Sequence, residues 1–318
     1  MNNKPIVASL LAIFSSYPIH ATAAQSIDAI EFADANFKQC VQVHRVTDPS
    51  QTRKLNCRHL PMKSLADLKY FPALESATFA GPEISNIDLS HNPVLKSLSV
   101  SSKQLSSIDL SHTPQLEVLS LDAKQISKID LSNTPKLKEL AVMSAQLQSI
   151  NLSHTPMLEE LNVSFNQLTS LDLSATPKLT DLSVVGNQLT QLDVSHTPAL
   201  RYLWAKENQL TTMDFSANKS LVQIGLASNQ LTALTLPANN QISSLGVMYN
   251  QLTKLDVTQS PKLSTLYITD NQISNLDITN NPKLRKLWAT GNPIANIDIS
   301  GHERLSDYEF DDSTAVTE

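Results

Sequence analysis

Apolar residues return along this chain in a fixed phase. In one middle unit they stand at Leu173, Leu179, Leu182, Val184, Leu189 and Leu192, and the same set recurs every 21 residues. The alternation Leu182-Ser183-Val184 predicts a short strand with its two apolar side chains on one face and Ser183 on the other. Polar positions keep the same beat. Asp stands at 88, 109, 130, 172, 193, 214, 256, 277 and 298, with Asn151 and Thr235 filling the two gaps, and Asp67 extends the phase one step earlier. Pro commonly follows five residues after this anchor, giving the consensus D-L-S-x-T-P-x-L-x-x-L-x-V-x-x-N-Q-L-T-x-L.

A unit this short cannot bury enough apolar surface to offset the entropy of ordering its own backbone. Stacked units cover one another's faces and exchange backbone hydrogen bonds, so the pattern predicts a solenoid with one short parallel strand per 21-residue coil. It is expected to be mostly strand and loop, with about eleven to twelve coils at roughly 4.8 Å each. Asn follows each strand at 166, 187, 208, 229, 250, 271 and 292, where an amide can donate and accept at once in a buried turn. A second polar column falls half a coil later, with Thr at 113, 134, 155, 176 and 197 and Asn at 92, 218, 239 and 281. Early units break the first rule, carrying Pro82, Lys103, Lys124 and Ala145 in the main Asn column, and are expected to be less regular.

The stretch L-E-E-L-N-V-S-F-N-Q-L at 158–168 matches the leucine-rich-repeat signature LxxLxLxxNxL, and comparable matches run from about 67 to 301. The strict 21-residue unit, with L-x-L-x-x-[NT] nested in its second half, resembles the IRREKO class of bacterial leucine-rich repeats. The stretch I-E-F-A-D-A-N-F-K-Q-C-V at 30–41 resembles the N-terminal cap of internalin-like exported proteins. These resemblances imply an α/β-type leucine-rich-repeat solenoid with a small N-terminal helical cap near 27–45. They say little about function, because the fold hosts binding proteins of many kinds.

Composition adds boundaries. Of 318 residues 46 are Leu and only 6 Gly, and the formal net charge is −6. No Lys/Arg-rich run interrupts that balance, so a nucleic-acid partner has no electrostatic footing. Residues 1–23 read as an export signal: Lys4, an apolar run from Pro5 to Phe14, Pro18, then Ala21-Thr22-Ala23 at the cleavage positions. That run is shorter than a membrane span requires. The resulting division is a signal at 1–23, a cap at 24–66, the solenoid at 67–301 and an acidic cap or tail at 302–318, read as frayed at its end. A monomeric protein of the periplasm or the exterior is expected. Cys40 and Cys57 fit a disulfide in such a compartment. Two buried free thiols, or a Cys2His2 zinc site completed by His44 and His59, are the competing readings, the last with a spacing that fits no common motif.

Three features could carry chemistry. D-L-S-H at Asp88–His91 and Asp109–His112, with relatives at Asn151–His154 and Asp193–His196, brings Asp, Ser and His together. The set is repeated coil after coil without a nucleophile elbow, which favours structure over catalysis. The Asp column faces outward, where each carboxylate must accept local hydrogen bonds or share cations with its neighbours. The outward middle column of the strands is the most telling. It runs Thr78, Ser99, Ser120, Ala141, Asn162, Ser183, Trp204, Gly225, Gly246, Tyr267 and Trp288, with Tyr202 and Tyr249 in flanking columns. Both tryptophans of the chain lie here and frame two glycines, predicting an aromatic trough about three coils long. The expected function is binding of a protein, peptide or glycan on this face, with no cofactor, no metal and no catalysis. The competing readings are an envelope enzyme or inhibitor using the Asp/His stripe, and a structural or vestigial protein whose exposed face has drifted.

Overall fold

The computed structural model describes residues 27–318; the expected export signal lies outside the described residues. Thirteen parallel strands form one continuous sheet. Eleven of them, from Ser76–Ala80 to Lys286–Trp288, start at 21-residue intervals, and each pairs in register with the next. The other two were not anticipated. Lys54–Pro61, in the cap, is the first strand, and Asp307–Glu309, in the tail, is the last. Two small second sheets, 212–214 with 233–235 and 296–298 with 315–317, form on the far side of the coil.

The inward side chains make one contiguous core from Phe37 to Ile299. Leu182 and Val184 are buried while Ser183 between them is half-buried, as the alternation requires. Each ladder Asn holds three connections beside one from Nδ2 to the carbonyl two residues back. Asn187 donates through Nδ2 to the carbonyls of Val163, one coil back, and Val184, three residues back, and accepts from the Leu168 amide through Oδ1. The pattern repeats from Asn166 to Asn271. At Asn292 it also holds, with Ile273 as the donor to Oδ1. The residue before each of these asparagines has positive φ: Phe165, Gly186, Glu207, Ser228, Tyr249, Asp270 and Gly291. That left-handed step turns the Asn inward after a three-residue strand; Ser144, after the five-residue strand Glu139–Met143, has it without the Asn.

In the early coils, which lack the Asn, strands extend to five or six residues: Ser76–Ala80, Ser97–Ser102, Val118–Ala123 and Glu139–Met143. There Ser102 takes over part of the capping, donating to Ile84 O and accepting from the Gln104 and Leu105 amides.

The second polar column also forms. Buried Thr113, Thr134, Thr155, Thr176 and Thr197 each donate to the carbonyl three residues back. Asn92, Asn218 and Asn281 each donate to two carbonyls of the preceding coil, their Oδ1 atoms left without a partner. Asn239, placed in this column by the repeat, is exposed with positive φ; buried Asn240 does the work, donating to Pro237 O and Ser260 Oγ. The shift follows from Asn occupying position 240, where most other units carry Pro.

At the N-terminus the helix Ala35–Val43 is capped by Asp34, whose Oδ1 accepts from the Asn36 and Phe37 amides and whose Oδ2 accepts from Lys63 and Ser64. Burial opposes its charge, but these four amides hold its pKa below the ordinary carboxylate value. Asp67, read from the repeat as one more member of the surface column, is instead buried, accepting from the Ala33 and Asp34 amides. Cys40 and Cys57 form the disulfide, 5.7 Å apart at Cα, tying this helix to the first strand. His44 bonds to Asn56 O and His59 receives Arg58 Nε, so neither joins the cysteines.

The tail is not a frayed end. Asp307 lies 21 residues after Lys286 and bonds to it at 2.8 Å; Asp311 accepts from the Gly291 and Asn292 amides; His302 enters the second polar column and bonds to Ile278 O. The acidic residues therefore close the last coil.

Candidate recognition face

The outward middle column is continuous: Ser183, Trp204, Gly225, Gly246, Tyr267 and Trp288 are direct cross-strand partners. Its contents differ from an open trough. A Cβ on Gly225 would lie 2.6 Å from the Trp204 ring, so that ring is laid across the glycine and fills its place. Gly246 is open, with only Ile224 O within 4 Å of such an atom. The gap between the aromatics is therefore one coil wide, not two. Beyond it Tyr267 and Trp288 pack together, centroids 4.8 Å apart, and Trp288 Nε1 donates to Asp307 Oδ1. Hydrogen bonds from Lys286, then Trp288, hold the Asp307 carboxyl below its usual pKa.

Lys206 Nζ lies 5.7 Å from the Trp204 ring centre, and Arg201 stands 5.4 Å from that of Tyr202. Tyr249 occupies the left-handed position after its strand, 55% exposed, on the turn. Phe165, equally exposed, lies at the equivalent place two Asn-ladder turns nearer the N-terminus than Glu207, and covers Gly186 as Trp204 covers Gly225.

On the other side of Trp204 the face carries a feature that residue types taken singly do not show. A groove of about 320 Å³ runs from Val118 to Trp204 over a floor of Ser120, Ala141, Asn162 and Ser183. Along one side Glu139, Glu160 and Asp181 are in-register partners. Among the described residues Glu139 and Glu160 have no hydrogen-bond or ion-pair partner, and burial, followed by the charge of Glu139, raises the Glu160 pKa. The signal was present in the sequence two residues before the middle column, where three acidic residues share one phase.

The Asp column is built from local turns. Each Asp Oδ1 accepts the amide two residues on, as at Asp88, Asp109, Asp130, Asp172, Asp193, Asp256, Asp277 and Asp298. Bonds from that Ser or Thr hydroxyl and amide lower these pKa values. In the D-L-S-H segments Ser Oγ meets His Nδ1 of the next residue, as Ser90 meets His91 at 2.9 Å, while Asp88 is spent on the Ser90 amide. Asp193 Oδ2 comes within 4.0 Å of His196 Nδ1, the same nitrogen that meets Ser195 Oγ, so in the described D-V-S-H segment the His does not bridge Asp and Ser through its two nitrogens. The described residues contain no cluster of three or more His, Cys, Asp or Glu that could hold a metal ion.

No protein-family model matches the sequence, and no curated protein matches it. Solved structures do. An internalin, InlF, of Listeria monocytogenes aligns with a TM-score of 0.82 at 24% identity over 94% of each chain. The fold is the leucine-rich-repeat solenoid. A leucine-rich-repeat protein of Leptospira interrogans aligns at 0.67 and 23% identity over 85% of this chain and 81% of its own. YopM of Yersinia enterocolitica aligns at 0.59 and 23% identity, over 78% and 62%.

Proposed function

We propose that this leucine-rich-repeat chain is an exported, non-enzymatic recognition module that binds a protein partner on its strand face. The observation that carries the reading is Trp204, a half-buried aromatic on a rigid sheet, standing between an acidic groove and the open Gly246 position. Large aromatics beside grooves on otherwise polar faces are the usual anchors of protein interfaces. Leucine-rich-repeat solenoids of similar fold also work in assemblies, as in the LRIM1/APL1C complex. Glycan or free peptide remains the alternative occupant of the same face.

Two observations support the rest. A disulfide formed by both cysteines suits an oxidising compartment, and no described helix is long and apolar enough to cross a membrane. The D-L-S-H geometry, in which Asp is occupied by its own turn, supports a role without catalysis. The 21-residue nested unit further supports a place in the IRREKO class.

The test is to capture a partner from envelope extract on the purified chain and titrate it against W204A, E160Q and, on the opposite side of the coil, D172N. Loss of affinity in the first two with D172N unchanged supports the reading. Wild-type affinity in W204A and E160Q overturns it. Mass analysis of the exported chain tests removal of residues 1–23.

A further inference from the structure

A second cavity, of about 420 Å³, opens where the early coils depart from the repeat. It lies past the C-terminal ends of the first four strands and is lined by Arg58, His59, Lys103 and Lys124, with Pro61 and Pro82 among its apolar walls. In later coils the positions of Pro82, Lys103 and Lys124 hold the ladder asparagines, turned inward. Here the strands run on through Ser102 and Ala123, which are cross-strand partners, and the lysines follow directly after them.

The consequence is electrostatic. Lys103 and Lys124 emerge from paired strand ends one coil apart, near 4.8 Å in backbone spacing. Like charges so placed across a sheet repel, and neither ammonium has a hydrogen-bond or ion-pair partner among the described residues. Arg58 donates through Nε to His59 Nε2 at 3.1 Å, which orients the guanidinium and leaves its two terminal nitrogens without a partner among the described residues. Asp122 is the one carboxylate on the lining, contacted by Ser101 Oγ at 3.4 Å. Three cations against one carboxylate leave a net charge of two positive on the lining, in a chain whose total is −6. Nearby Glu83 is already engaged by Lys63.

We infer that this pocket binds a small ligand through a tetrahedral oxyanion, a phosphate or sulfate group, held by Lys103, Lys124 and Arg58. A guanidinium fork with two ammonium groups matches the several oxygens and the charge of such a group. The Pro61 and Pro82 walls would receive the organic body when the group is an ester. The site shares no residue with the groove beside Trp204, and its fate does not depend on the recognition reading above.

Calorimetric titration of the full chain at low ionic strength with inorganic phosphate, inorganic sulfate, glucose 6-phosphate and sodium acetate tests this. Saturable binding of the phosphate or sulfate probes, stronger than acetate and weakened about tenfold or more in K103A/K124A, is expected. Both lysines are exposed, so an unchanged unfolding midpoint in that variant is a feasible control. K254A, on a distant coil, is expected to bind as wild type. Preference for glucose 6-phosphate over the free ion assigns the source as an ester, and equal affinity assigns the free ion; both support the site. No saturable binding of phosphate or sulfate at millimolar concentration, or wild-type affinity in K103A/K124A, overturns it.

Discussion

Between Ser76 and Met143 the strands run for five or six residues, whereas from Glu160 to Trp288 each sheet strand stops at three. Both stretches repeat every 21 residues and refill the same inward columns, with Leu119 and Leu182 equally buried. What separates them is the turn. In the later coils a left-handed residue and an inward Asn end the strand and bond it to its neighbours. In the first three early coils the chain stays extended, backbone pairing continues, and the turn side chain is released to the surface; the fourth, with left-handed Ser144 and buried Ala145, is intermediate. The core fixes the pitch of a coil, while its corner decides how much of it is sheet and what it shows to solvent.

The largest effects are expected where the two regions agree. L119A and L182A remove equivalent buried side chains and are each expected to cost about 2–5 kcal/mol, read from urea unfolding. A clear inequality between them would mean that the regions differ in core as well as corner. Next comes the corner itself. N208A strands the carbonyls of Val184 and Ala205 and the Leu189 amide, and is expected to cost about 3 kcal/mol, while K124A changes stability by less than about 0.5 kcal/mol. Equal effects would break the distinction.

G186A forces a Cβ into the left-handed region at φ 65° and against the Phe165 ring, 2.7 Å away, for an expected loss of about 1–2 kcal/mol. The double variant F165A/G186A is expected to recover the steric part only. The smallest effect concerns the Asp column, shared by both regions. Within it, bonds from the Ser174 amide and hydroxyl hold the Asp172 carboxyl below its unfolded pKa, so its contribution is present above about pH 4 and fades as pH falls through its native value. D172N is expected to keep the turn, as Asn151 does with the Ser153 amide, and to make acid unfolding slightly less steep.

Much of this was legible because a repeat is read many times over. The strand positions, the leucine columns and both polar ladders follow from phase alone, since eleven copies average out local exceptions. Legibility failed where a residue's role depends on the coil next to it. Asp67 has the phase of a surface Asp but meets the amides of Ala33 and Asp34 from the cap. Gly225 reads as open space until the Trp204 ring is seen lying over it. The tail keeps Leu305 in the leucine phase but has no ladder Asn, and its strand is held by Lys286, Trp288 and Gly291, which find acidic partners there. The groove beside Trp204 needed neighbouring columns to be read together, because its charge and its floor lie in different phases.

Each ladder amide reaches back 24 residues to one carbonyl and is met by an amide 19 residues earlier, the same offsets at every step from Asn166 to Asn292. Such a lattice has a natural quantum of length. Removing or duplicating one whole unit in the later stretch lets every remaining amide find an equivalent partner, whereas a gain or loss of any other size leaves one joint of the ladder unmatched. Lineages of this chain would therefore be expected to grow and shrink in steps of 21, with the corner chemistry acting as the ruler.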